Sequence, residues 1–194
     1  MRPRLIVISG ATGAGKSTVA GLLMEKQELR LRRVVTCTTR AKRASETGGV
    51  QYHFISSPQF EQELSEGKII VPNKFAGNNY GTRRTDIDVI LASGGQALVT
   101  LDITGSKTIR EIYPNALVFY IWAPLETLVD RAEARGTVGA DLKLRHEDDP
   151  PLSKDAVEKL GFVPIGNDTP PEEAVNKIAD VILSTPPFIT AGIY

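Results

Sequence analysis

The stretch Leu5-Ile6-Val7-Ile8-Ser9-Gly10-Ala11-Thr12-Gly13-Ala14-Gly15-Lys16-Ser17-Thr18 decides the fold. It opens with a continuous aliphatic run, the pattern of a strand buried on both faces of a parallel sheet rather than one exposed at alternate residues. Such a strand belongs in mid-sheet. Residues 10–17 fit the pattern G-x-x-x-x-G-K-[ST], and Val19, Leu22, Leu23 and Lys26 recur at helical spacing across 17–27. Strand, glycine-rich turn and helix in that order give the pattern a physical use. The glycines let successive backbone N–H groups turn inward around an anion, and the helix N-terminus adds partial positive charge. Lys16 can then bridge the β- and γ-phosphates of a nucleotide while the Ser17 hydroxyl ligates Mg²⁺. A turn that merely joins strand to helix requires neither side chain. The loop predicts a nucleotide user and leaves kinase, ATPase, GTPase and scaffold open.

Outward from this unit, residues 34–37, 97–101, 117–122 and 162–165 read as further short apolar strands, and 106–112 and 125–134 as helices. Pro170-Pro171-Glu172-Glu173 opens a last helix reaching about residue 183, with proline and acidic groups suited to a first turn. Strands alternating with helices predict an α/β fold of three layers around a mostly parallel central sheet. Two stretches break the rhythm. Residues 39–88 are long, polar and glycine-rich, with alternation at 51–55 and a short helix at 58–66, and read as a small β-containing insertion. Residues 136–151, glycine-flanked and poor in apolar side chains, read as a mobile lid. The expected division is a core of 1–38 and 89–194 with the insertion 39–88.

Composition narrows the class. In a chain of 194 residues, 41% hydrophobic and 24% charged side chains mark a soluble globular protein with enough length to bury a core. Equal numbers of basic and acidic residues, 23 each, argue against a broad nucleic-acid or membrane surface, so an anion site must be local. The lone Cys37 excludes an internal disulfide, and with only two histidines no zinc-type cluster forms; both suit a reducing cytoplasm. The longest apolar run, 116–123, falls far short of a membrane span, and the N-terminal apolar stretch is too short for a signal-peptide core.

A second anion site follows the insertion boundary. Thr36-Cys37-Thr38-Thr39-Arg40-Ala41-Lys42-Arg43 sets two guanidinium groups three residues apart after a strand. Glu46, Gly48 and Tyr52-His53-Phe54 come next, then Gly77-Asn78-Asn79-Tyr80-Gly81-Thr82. Two arginines and two phenols can hold a phosphate dianion, the arginines through planar paired donors. With the loop at 10–17, these segments resemble the guanylate kinase family, whose members carry T-T-R-x-x-R, Y-x-F and G-N-Y-Y-G-T segments in this order. The resemblance covers roughly residues 5–183.

It implies a nucleoside monophosphate kinase that uses MgATP. Residues 10–18 and Asn167 would bind ATP, and Arg40, Arg43, Tyr52 and Tyr80 the acceptor phosphate. Thr36, Val71, Thr82 and Asp102 would face the acceptor base, while Lys16, Arg40, Arg131, Arg135 and Arg145 would stabilise charge on the transferring phosphoryl. Ser17 and Asp102 are the Mg²⁺ candidates, and Asp102 has both roles open. The lid arginines also have acidic neighbours for ordinary helix-surface pairing. Nucleotides are the expected partners, with no nucleic acid or membrane, and monomer or homo-oligomer is left open.

The departures bear on the acceptor. In the family a glutamate nine residues before the phosphate-binding tyrosine accepts from the guanine N1 and N2 edge; here that position is Val71. Thr36 replaces a serine and keeps its hydroxyl, Asn79 replaces the first tyrosine of a pair, and the lid is about one residue shorter. GMP or dGMP is the expected acceptor. The rival is a kinase for another nucleotide or a phosphorylated sugar, and a non-catalytic binding module is a further alternative. If position 71 does not meet the base, Asn73 or Lys74 of the same segment is the alternative reader.

Overall fold

The computed structural model describes residues 4–75, 77–134 and 151–186. Strand β1 (Leu5–Ser9) lies at the centre of a five-stranded parallel sheet of order β2-β7-β1-β8-β9. Its flanks are β7 (Gln96–Thr100) and β8 (Leu117–Trp122); β2 (Leu31–Arg33) and β9 (Val163–Gly166) form the edges. Alternation on β1 divides the core. Ile6 and Ile8 join a cluster with Val19 and Leu23 of α1 (Lys16–Glu25) and with Ile178 and Ile182 of α7 (Pro171–Ser184). Leu5 and Val7 face the opposite layer, with Ile87 and Ile90 of α3 (Arg84–Ala92) and Ile109 of α4 (Ile103–Ile112). Each such aliphatic side chain, once buried, contributes about 1.5–3 kcal/mol, which holds both helical layers to the sheet.

A second, mixed sheet of order β4-β3-β6-β5 is built from β3 (Cys37–Thr38), β4 (His53–Phe54), β5 (Ile69–Phe75) and β6 (Asn78–Arg83). Its own small core is Cys37, Phe60 and Ile69, with Phe60 supplied by α2 (Ser57–Ser65). Burial pushes the Cys37 thiol up to about 11, so it packs as a small hydrophobe. Glu63 of α2 clamps Arg83 of β6 with two hydrogen bonds of 2.7 Å. The Arg83 contact holds the Glu63 carboxyl below its ordinary value.

Three elements differ from the sequence reading. The strand expected at 34–37 is two strands, Leu31–Arg33 in the main sheet and Cys37–Thr38 in the second, because the chain crosses between sheets at 34–36. Helices α3 and α6 (Lys154–Lys159) were not expected. Helix α6 has six residues and two apolar side chains, which leave little periodic signal, whereas α3 carries Ile87, Ile90 and Leu91 at helical spacing across the end of the stretch read as the insertion. The lid expected at 136–151 lies, but for residue 151, outside the described residues. Among the described residues no helix is long and apolar enough to cross a membrane.

Candidate active site

The loop between β1 and α1 has the conformation that its glycines permit. Gly13 sits at φ +91°, and a Cβ there would lie 2.2 Å from the carbonyl oxygen of Leu128 on α5 (Leu125–Glu133), so only glycine fits. Gly15, also at φ +91°, is the N-cap of α1 and offers no side-chain cap. The first amides of the helix are therefore left for an external anion. Lys16 is half-buried and donates to the carbonyl oxygens of Gly10 and Ala11, while Ser17 and Thr18 are exposed on the first turn. Asn167 lies against this loop rather than out in solvent. It is 3% exposed, and its Nδ2 donates to the Ala14 carbonyl at 2.8 Å. Its backbone carbonyl accepts from Arg131 at 2.7 Å, which ties α5 to the same corner.

The second basic group is assembled from three strands of the small sheet and the turn that follows β3. Arg40 donates to Glu46 Oε1 at 2.6 Å and stands 5.6 Å from the centre of the Tyr52 ring and 5.7 Å from that of Phe54. The Glu46 hydrogen bond raises the Arg40 guanidinium above its ordinary value, and the same contact lowers the Glu46 carboxyl. Tyr52 and Tyr80 meet edge to face at 5.9 Å. Thr36, Arg40, Arg43, Tyr52, Tyr80 and Thr82 line a cavity of about 460 Å³.

A second cavity of about 530 Å³ is lined by Thr12, Lys16 and Ser17 of the loop. Val71, Asn73 and Asp102 line both cavities, so the two open onto a common wall. Asp102 is the N-cap of α4; its Oδ1 accepts from the Gly105 amide at 2.6 Å and its Oδ2 from Asn73 Nδ2 at 2.6 Å. Among the described residues no group of three or more His, Cys, Asp or Glu side chains forms a metal site. Of the two residues expected at a divalent cation, Ser17 is exposed on the first turn of α1, whereas both oxygens of Asp102 already accept from Gly105 and Asn73, so a cation here would rest on Ser17 and the phosphates of its nucleotide.

The guanylate kinase family model matches residues 2–183. The chain belongs to the guanylate kinase family. It is a guanylate kinase-like phosphotransferase of α/β fold. The guanylate kinase of Lactobacillus delbrueckii subsp. bulgaricus is 34% identical over 139 residues, which are 71% of this chain and 68% of that protein. The guanylate kinase of Symbiobacterium thermophilum is 39% identical over 135 residues, 69% of this chain and 63% of that protein. The crystal structure of guanylate kinase from Anaplasma phagocytophilum superposes with a TM-score of 0.71 at 24% identity, covering 94% of this chain and 86% of that one. That likeness shows the fold.

Within this guanylate kinase fold, the loop residues, Thr36, Arg40, Arg43, Tyr52, Val71, Tyr80, Thr82 and Asp102 gather around the joined cavities. Arg131 and Asn167 sit at the far side of the loop. Arg135 and Arg145 lie outside the described residues. One member of the site, Glu46, carried no assignment from sequence, and Asn73 was named there only as an alternative reader of the base. Glu46 orients Arg40 and accepts from the Arg43 amide at 2.8 Å. Asn73 is brought to Asp102 by a strand irregularity whose one sequence sign is Pro72, since a proline within a strand marks an edge or a bulge.

Proposed function

We propose that this protein transfers the γ-phosphoryl of MgATP to the phosphate of a purine ribo- or deoxyribonucleoside monophosphate, GMP or dGMP foremost. The reading is carried by two cation-lined cavities that share one wall, a layout suited to two phosphates meeting face to face. Two anions of high charge repel, so the barrier is electrostatic, and the side chains act by placing positive charge where the phosphates meet. The loop amides and Lys16 hold the donor phosphates; Lys16 exchanges its carbonyl partners Gly10 and Ala11 for phosphate oxygens. Arg40, Arg43, Tyr52 and Tyr80 hold the acceptor phosphate. Arg131, Arg135 and Arg145 carry charge from the lid side. Ser17 would supply the protein hydroxyl to Mg²⁺, which, when bound, would offset the charge of the donor phosphates. Asp102 serves the acceptor side, since both its oxygens already accept from Gly105 and Asn73. No side chain has to remove a proton, because the acceptor phosphate oxygen is ionised at neutral pH. Residues 39–88 form the acceptor-binding unit and the rest the donor-binding core, and the cytoplasm is the compartment proposed.

The test is ADP formation over a panel of ribo- and deoxynucleoside monophosphates, with Lys16→Ala as the control. Wild-type turnover should be highest with GMP or dGMP, and Lys16→Ala should lose roughly 10²- to 10³-fold in kcat while keeping its fold. A folded Lys16→Ala that retains most of its kcat removes the loop from the reaction.

A further inference from the structure

Strands β5 and β6 pair with a register shift: Ile70 faces Thr82, whereas Asn73 faces Tyr80. Two residues of β5, Val71 and Pro72, therefore oppose the single Gly81, which is a β-bulge on an edge strand. Pro72 is tolerated there because it has no ladder hydrogen bond to donate. Val71 adopts φ +54°, a left-handed conformation uncommon for a β-branched residue. Its side chain is 7% exposed and packs on α4, where Cγ1 lies 2.6 Å from the place a Cβ on Gly105 would take.

The bulge changes which side chain looks into the acceptor cavity. Directly paired residues of an antiparallel ladder share a face, so Asn73 shares that of Tyr80 and, two residues on, of Thr82. In regular pairing Pro72 would occupy that position and Asn73 would point away, because a one-residue slip turns every side chain over. Asn73 is thus delivered to the acceptor side and meets Asp102 at 2.6 Å. A carboxylate is acceptor-only, which fixes the amide: Nδ2 toward Asp102, Oδ1 away from it.

We propose that Asn73, oriented by Asp102, is the base-reading residue of the acceptor site, and that it admits the 6-aminopurine edge alongside the 6-oxopurine edge. This rests on the acceptor-site reading given under Proposed function. The free face of the amide is an acceptor, Oδ1, beside the second Nδ2–H donor. Adenine presents the complement, N6–H beside the N1 lone pair, with C2–H beyond it toward Asp102. A 6-oxopurine uses the same pair through N1–H and O6, its 2-amino group turned away from the carboxylate. A glutamate at this wall would offer only acceptors and reject the adenine N1 lone pair. An amide rejects neither edge.

The experiment measures kcat and KM for GMP and AMP at saturating MgATP in the wild type, Asn73→Asp and Asn73→Ala, with melting temperature as the folding control. The wild type should use AMP with kcat/KM within about tenfold of GMP. Asn73→Asp removes the N–H donor and should lower AMP relative to GMP by about tenfold or more. Asn73→Ala, which does not set two carboxylates side by side, should raise both monophosphate KM values about tenfold and leave the ATP KM within twofold. A wild-type preference for GMP above about 100-fold overturns the proposal. So does an AMP-to-GMP ratio unchanged within twofold in Asn73→Asp, or monophosphate KM values unchanged in Asn73→Ala. Should the wild type phosphorylate neither nucleotide, the kinase reading fails separately. Calorimetric binding of GMP and AMP that Asn73→Ala weakens would still uphold the role of Asn73, and absence of binding would overturn it as well.

Discussion

The Arg40 guanidinium is held by the Glu46 carboxylate at 2.6 Å while it stands 5.6 Å from the Tyr52 ring centre. A carboxylate beside this arginine looks contrary to the phosphate-binding role proposed for it, yet it serves orientation. Without Glu46 a long arginine would sample many rotamers. With it, the planar fork is fixed before a ligand arrives, and less entropy is lost on binding. The Arg43 amide, donating to the other Glu46 oxygen at 2.8 Å, brings the second arginine into the same unit.

Arg40→Ala and Tyr80→Phe should therefore raise the KM for the monophosphate, by about 10- to 100-fold for the arginine and less for the phenol, with the ATP KM within about threefold. Steady-state kinetics with each substrate varied in turn reads this directly. A larger shift in the ATP KM would reverse the assignment of the two cavities.

The Glu63–Arg83 clamp makes a prediction about pH. The hydrogen bonds from Arg83 lower the Glu63 carboxyl below its ordinary 4.5. A carboxyl depressed in the folded state contributes stability that is fully present above its unfolded value and is lost as pH falls through the folded one. Glu63→Gln should lower the melting temperature at pH 7 by roughly 2–4 °C, the scale of an ordinary ion pair in a chain of this size. The gap should close below 4.5, as the wild-type carboxyl protonates. Thermal melts between pH 3 and pH 7 test this, and a gap that widens toward acid would contradict it.

Gly13→Ala should destabilise the protein even without substrates. The added Cβ would meet the Leu128 carbonyl oxygen at 2.2 Å, and the backbone is at φ +91°. Both strain and clash fall on backbone that cannot move without displacing α5. A cost of about 2 kcal/mol or more, or roughly 4–8 °C in melting temperature, is expected. An alanine variant as stable as the wild type would mean that the loop does not rest on α5 as described.

The sequence by itself determined the central unit and named most of the residues that line the two cavities. Four aliphatic residues before a glycine-rich loop can be satisfied only by a strand covered on both faces, and β1 lies in mid-sheet. Arg40, Arg43, Tyr52 and Tyr80 were legible because each belongs to a short segment of fixed spacing. The helices α3 and α6 were not, since a short helix takes its stability from packing more than from its own residues. The position of Asn73 was decided by tertiary structure alone. Side-chain direction in a strand follows a period of two, and a bulge inserts one residue and inverts everything beyond it. Only the pairing of β5 with β6 sets that phase. Pro72 announces that something interrupts the strand, but on which side Asn73 emerges depends on a neighbour that the local sequence does not contain.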